Sequence, residues 1–173
     1  MRLFIAPLAL LLAGCGPISF ATTMKGEAVI QGSALGSLLN AFPTLSGFSN
    51  INFDENQDFK NNDARRENVK SVKLNAFTIK IISPTPQDFG FLDSLEFWVK
   101  SGDTEEKIAG KANIGALNLA APNPTLTLDL PDVELAPYVK APSMTIITRG
   151  SGRQPSQETR LEASARFIVG VGL

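Results

Sequence analysis

The chain of 173 residues contains no histidine, a single cysteine and no excess of charge of either sign, with 16 basic and 17 acidic side chains. The lack of histidine excludes the Ser-His-Asp catalytic triad and zinc sites that use imidazole. A single cysteine cannot form an internal disulfide bond. Because the charge is balanced, the chain has no basic surface for DNA or RNA, and we expect no nucleic-acid partner.

The N-terminus begins with a basic residue and a short apolar run. Arg2 precedes residues 3–13, whose sequence is LFIAPLALLLA. A helix that crosses a bilayer needs about 20 apolar residues, so this run is too short to span one. It is typical of the apolar part of a secretory signal peptide. We therefore expect residues 1–14 to be a signal peptide that is cleaved from the mature protein.

The run ends in Leu12-Ala13-Gly14-Cys15, which resembles the lipobox of bacterial lipoproteins. The resemblance implies cleavage between Gly14 and Cys15, a thioether-linked diacylglycerol on the cysteine sulfur and an N-acyl chain on its new amino group. Two or more acyl chains attach a protein stably to a membrane, whereas one chain binds reversibly. We expect no other cofactor and no metal ion. The residues alone leave open the alternative of a chance cysteine, either in an ordinary signal peptide or in a buried helix.

The residue after the cysteine bears on which membrane holds the protein. In enteric-type bacteria an aspartate there retains a lipoprotein in the inner membrane, so Gly16 favours the outer membrane. We expect residues 15–25 to form the lipidated cysteine and a short tether, and residues 26–173 to form a single domain. The expected partners are the membrane, through the lipid anchor, and an envelope protein.

Period-two alternation dominates the rest of the chain and is typical of half-buried β-strands. It is clearest over 161–171 and recurs over 95–100, 125–130 and 144–149, with prolines between the runs. The pattern predicts a mainly β fold, an antiparallel β-sandwich of about six to eight strands. The strand pattern is similar to that of small late-embryogenesis-abundant type 2, immunoglobulin-like domains. No motif accompanies this similarity, so it implies no functional residue.

The alternation changes phase between Val72 and Ile82. Apolar residues first occupy even positions, ending at Ala76, and then odd positions, beginning at Phe77. A β-bulge near this point would insert one residue and keep the apolar side chains on one face. A central strand that is covered on both faces would give the same pattern, so both interpretations stay open.

One segment has helical spacing. Leu35, Leu38, Leu39 and Phe42 stand at offsets 0, 3, 4 and 7, which predicts a short amphipathic helix over 33–42 that packs over one end of the sheet. We expect five apolar side chains to form either a filled core or an apolar pocket: Leu38, Phe42, Phe48, Phe77 and Phe97.

The sequence provides little for catalysis. No spacing brings two carboxylates into one cleft, and the acidic stretch 54–58 lacks the glycine and glutamate that a calcium loop needs further on. We therefore expect a non-catalytic lipoprotein that binds or scaffolds at the envelope surface. The alternative is a carrier of lipid or another apolar ligand.

Trp98 falls among the polar positions of the alternation in its strand. It is either covered by the phenylalanine-rich segment or exposed at a binding surface.

Overall fold

The computed structural model describes residues 18–39 and 41–172 and shows seven β-strands in those ranges. The strands are β1 (Ile18–Ile30), β2 (Val69–Ser83), β3 (Leu92–Ser101), β4 (Thr104–Ala112), β5 (Thr125–Thr127), β6 (Thr145–Gly152) and β7 (Thr159–Val171). Between them lie the helices α1 (Gln57–Asn61) and α2 (Ala136–Val139) and 3-10 turns at Phe53–Glu55, Arg66–Asn68 and Ile114–Leu117. The predicted mainly β fold is confirmed. In the ranges described, none of the helices is long and apolar enough to cross a membrane.

The strands form two antiparallel sheets around one core. The larger has the order β1-β7-β2-β5 and the smaller β4-β3-β6. The alternation over 161–171 places the odd residues of β7 in the core, where Leu161, Phe167 and Val169 are completely buried. The even residues of this strand are exposed or half-buried on the outer face. Period-two patterning therefore identified the buried face of the central strand correctly.

A β-bulge in β2 explains the change of phase. The register of pairing with β7 shifts between Leu74 and Ala76, so that no residue of β7 lies opposite Asn75 in the ladder. Val72 before the bulge and Phe77 after it are both completely buried. The bulge interpretation is confirmed. The alternative of a strand covered on both faces is wrong, because lysines on the other face of β2 are exposed.

Irregular segments join the two sheets along both sides of the sandwich. On one side, the Ser46 N–H donates to the Glu27 carbonyl of β1 at 2.8 Å, and the Phe48 carbonyl accepts from the Ile146 N–H of β6 at 2.7 Å. The segment 45–51 thus occupies edges that would otherwise be open to another chain.

On the other side, the chain crosses between sheets directly after β5. The Leu128 N–H donates to the Phe77 carbonyl at 3.0 Å, whereas Asp129 exchanges two backbone hydrogen bonds with Gly110 of β4, at 2.8 and 3.0 Å. This contact involves only the later part of β4, around Gly110. β4 is an edge strand of the smaller sheet. The earlier part of β4, residues 104–108, has no neighbouring strand on its outer side among the described residues.

The predicted helix over 33–42 is wrong. The described residues of this range, 33–39 and 41–42, form a turn and an extended loop, with Gly36 in the left-handed region at φ 59°. The loop bonds to the connection between β6 and β7: the Ser33 N–H donates to the Pro155 carbonyl at 2.8 Å, and the Gln154 N–H donates to the Ser37 carbonyl at 2.7 Å. These bonds replace a helical ladder, and serine and glycine have low helix propensity.

The prediction of a tether over residues 15–25 is wrong for residues 18–25. Residues 18–25 belong to β1, which pairs with β7 over its whole length, from Ile18 opposite Val171 to Ile30 opposite Thr159. We call the end of the sandwich where β1 begins the proximal end and the end where it finishes the distal end. The loop 31–39 follows Ile30 and therefore lies at the distal end.

Candidate functional site

The predicted cleavage and lipidation residues, Gly14 and Cys15, lie outside the described residues. Ile18 is the first described residue and already pairs with Val171 in the larger sheet. A chain extends by at most about 3.3–3.6 Å per residue, so the three steps from Cys15 to Ile18 span no more than about 10 Å. Any group attached to Cys15 is therefore held close to the proximal end.

Four of the five side chains predicted to form a core or pocket are buried: Phe42, Phe48, Phe77 and Phe97. The ring centroid of Phe77 lies 5.8 Å from that of Phe48 and 4.2 Å from that of Phe97. Rings at these separations are in direct contact, so no ligand fits between them. Leu38 does not join this group and is 68% exposed, because its loop pairs with the β6–β7 connection instead of folding over the core.

Trp98 lies on the outer face of the smaller sheet, away from the aromatic core. Its indole N–H donates to the Glu96 carboxylate at 3.1 Å. The Arg149 guanidinium of β6 lies 4.6 Å from the ring centroid and also forms an ion pair with Glu105 of β4. A cation–π contact of this kind contributes about 0.5–1 kcal/mol at an exposed site. Charged side chains from three adjacent strands thus hold the indole in place.

An open groove of about 660 Å³ runs beside this cluster. It lies between β4, at the edge of the smaller sheet, and the segment that follows β5. Leu130, Pro131 and Val133 form an apolar wall, and Glu96 and Lys107 line the opposite side. Since Glu96 also binds the indole, the groove and the Trp98 cluster form one continuous surface.

A smaller groove of about 440 Å³ extends along the earlier part of β4. It shares Glu106 with the larger groove and is otherwise lined by residues that include Thr104 and Tyr138. The Tyr138 hydroxyl donates to the Glu106 carboxylate at 3.4 Å. Burial, followed by the nearby Glu106 charge, raises the pKa of Tyr138, so its hydroxyl remains a hydrogen-bond donor at neutral pH. Both grooves follow the edge strand.

The lysines of the larger groove are paired with carboxylates. The Lys107 ammonium lies 2.5 Å from a Glu96 oxygen, and the Lys111 ammonium lies 2.7 Å from an Asp129 oxygen. The hydrogen bond from Lys107, with a second from Trp98, lowers the pKa of Glu96. A carboxyl group with a lowered pKa stays ionised at neutral pH and is a poor general acid. The groove thus combines an apolar wall with fixed, paired charges.

The acidic stretch 54–58 has a structural role. The Asn56 side chain accepts from the N–H groups of Asp58 and Phe59 at 2.9 and 3.2 Å and caps α1. Asp54 forms an ion pair with Arg66 at 3.0 Å. Within residues 18–39 and 41–172, no three His, Cys, Asp or Glu side chains come close enough together to hold a metal ion.

Most of the larger groove and the Trp98 cluster was not predictable from the sequence. The parity of β3 indicated that Glu96 and Trp98 share a face, but Arg149 and Lys107 join them only because β6 and β4 flank β3. Alternation indicates which face a residue occupies and does not indicate which strands are neighbours. The sequence of this chain matches no protein-family model and no curated protein, so the proposal for its function rests on its own residues and geometry.

Proposed function

We propose that this protein is a lipid-anchored lipoprotein of the bacterial cell envelope, on the outer membrane, whose β-sandwich binds or scaffolds a partner without catalysis. The observation that carries the proposal is the position of the only cysteine, Cys15, which ends the lipobox-like sequence and precedes β1 by three residues. A cysteine within a paired strand would be inaccessible to the membrane enzymes that acylate its sulfur and cleave the chain before it. Cys15 instead precedes the sheet.

The groove along β4 supports a binding role. An edge strand offers backbone hydrogen bonds to an extended segment of another protein, and a neighbouring apolar wall offers contacts to its side chains. Leu130, Pro131 and Val133 provide such a wall beside β4. The envelope partner that fits this surface is a protein with an exposed extended segment that carries apolar side chains.

The aromatic core supports binding or scaffolding over the alternative of a ligand carrier. A carrier holds its apolar ligand in a cavity, commonly several hundred Å³ in volume. The contacts of Phe77 with Phe48 and Phe97 leave no such volume between these rings. None of these three rings lines the surface grooves of about 660, 530, 440 and 210 Å³, although Phe42 lines the last of these.

Lipidation is tested by metabolic labelling with an alkyne analogue of palmitate in bacteria that express the full chain. We expect label on the natural protein and none on Cys15→Ser, with the labelled protein in the outer-membrane fraction. An unlabelled natural protein that is released into the medium would refute the lipid anchor. Label in the inner-membrane fraction would refute the assignment to the outer membrane.

The groove is tested by photo-crosslinking in intact cells. A photoreactive amino acid replaces Pro131, on the exposed wall of the groove, or Lys80, which is exposed on the outer face of the larger sheet. We expect a discrete crosslinked product from position 131 that disappears with Leu130→Asp, and none from position 80. Equal products from both positions, or from neither, would contradict the groove as the binding surface.

A further inference from the structure

The two ends of the sandwich differ in what they offer a membrane. The proximal end lies within about 10 Å of Cys15. The distal end carries the loop 31–39, on which Leu35 is 92% exposed and Leu38 is 68% exposed. The 13 residues of β1 separate the two ends, and at about 3.3 Å per residue this distance is about 40 Å. The anchor and the most exposed leucines are therefore at opposite ends of the domain.

The proximal end is a continuous surface of several segments. Ile18 is 51% exposed there, and the Asn68 carbonyl accepts from the Gly172 N–H at 2.9 Å. The Arg66 guanidinium donates to the Ala141 carbonyl at 3.2 Å, which joins the segments before β2 and after α2. Lys140, next to Ala141, is exposed and forms no ion pair with any described residue.

The outer face of the larger sheet is less suited to lie on a bilayer. Several of its charges are already paired within the protein, as in Arg160 with Glu27 at 2.8 Å and Lys25 with Glu162 at 3.5 Å. Pressing this face against lipid would remove water from these pairs without providing new partners, which is unfavourable. End-on contact avoids this loss and brings the apolar Ile18 next to the acyl chains.

We infer that the proximal end rests on the phospholipid headgroups of the anchoring membrane, and that the sandwich stands upright with the Leu35–Leu38 loop about 40 Å from the surface. The inference rests on the proposed lipidation of Cys15. It deepens that proposal by naming the surface in contact with lipid. The distal loop then faces away from this bilayer, although it carries the most exposed leucines of the described chain.

The test uses the purified lipidated protein in phosphatidylethanolamine and phosphatidylglycerol vesicles. Lys140→Cys and Leu35→Cys each provide a single reactive thiol for a fluorophore, because a lipidated Cys15 has none. Spin-labelled headgroups then quench fluorescence at short range. We expect quenching at position 140 to exceed that at position 35 at least threefold. Mass spectrometry before labelling establishes whether Cys15 carries its acyl chains, so failure of the lipid anchor is detected separately.

A matched variant carries 20 Gly/Ser residues inserted between Pro17 and Ile18. Such a linker has a root-mean-square length of about 25 Å, which frees the domain from the surface. We expect it to reduce quenching at position 140 to the level at position 35. Stronger quenching at 35, equal quenching at both positions, or no effect of the linker would overturn the upright orientation.

Discussion

Replacement of Phe77 by alanine measures how completely the core of the sandwich is filled. Phe77 is fully buried and contacts the rings of Phe48 and Phe97. Loss of its transfer free energy costs about 1.5–3 kcal/mol. A cavity of roughly 100 Å³ that does not collapse adds about 2 kcal/mol at 24 cal/mol per Å³. We therefore expect Phe77→Ala to lower the free energy of unfolding by about 4 kcal/mol, within the usual 3–5 kcal/mol for such changes.

Urea unfolding of the chain from Gly16 onward, followed by far-ultraviolet circular dichroism, measures this loss. With a slope of about 2 kcal/mol per M, a loss of 4 kcal/mol moves the midpoint down by about 2 M. Phe20→Ala is the matched control, since Phe20 is half-buried and, among the described residues, contacts a single ring, that of Phe59, at 5.2 Å. We expect it to cost about half as much or less. A loss below about 1 kcal/mol for Phe77→Ala, together with tight binding of a fluorescent fatty acid, would refute the filled core and favour the carrier.

Three further changes test local features. Gly26→Ala should lower the free energy of unfolding in urea by about 1–3 kcal/mol, because a Cβ would lie 2.3 Å from the Ser46 carbonyl oxygen. In the control Gly115→Ala the new Cβ makes only ordinary contacts, so the free energy of unfolding should change by less than about 0.5 kcal/mol. Because the pKa of Glu96 is lowered in the folded protein, its ionised carboxylate stabilises the fold at pH values above its ordinary pKa of 4.5. This small contribution is lost as the pH falls through the lowered pKa. The fluorescence emission of Trp98, the only tryptophan, should change over that pH range and stay constant in Glu96→Gln. Gly36→Ala should destabilise by about 1 kcal/mol in thermal unfolding because of its positive φ, whereas stabilisation would favour the helix that the spacing predicted.

The strands were predictable where one face is strongly apolar. In β7 every core-facing residue from Leu161 to Val171 is apolar, so alternation alone identified the strand and its buried face. The bulge in β2 was predictable for the same reason, since the apolar residues changed parity at one point. These patterns consist of side chains whose burial is the main stabilising term in folding. They can be recognised from one strand alone, without knowing which strands are its neighbours.

The loop 31–39 shows where spacing misleads. Leu35 and Leu38 have helical spacing, yet neither is buried. The long-range backbone hydrogen bonds of this segment go to residues 152–155, more than 100 positions away in the sequence. Local periodicity contains no information about such a partner, and Gly36 and the serines leave the helix too weak to compete.

The first half of β1 was missed although Phe20 and Met24 pack against the core, because small or polar residues occupy the inward positions beside them. Thr22, Gly26 and Ala28 face inward and are buried. Thr22 bonds to the Asn56 side chain, and Gly26 leaves room for the Ser46 carbonyl, so tertiary contacts explain residue types that resemble a tether in sequence. This correction has a functional consequence, because a strand that starts at Ile18 removes most of the flexible chain expected after Cys15. If Cys15 carries the proposed lipid anchor, a domain on such a short connection could not search widely around that anchor. Its binding surfaces would then be held at set heights above the membrane, and a partner would have to meet them there.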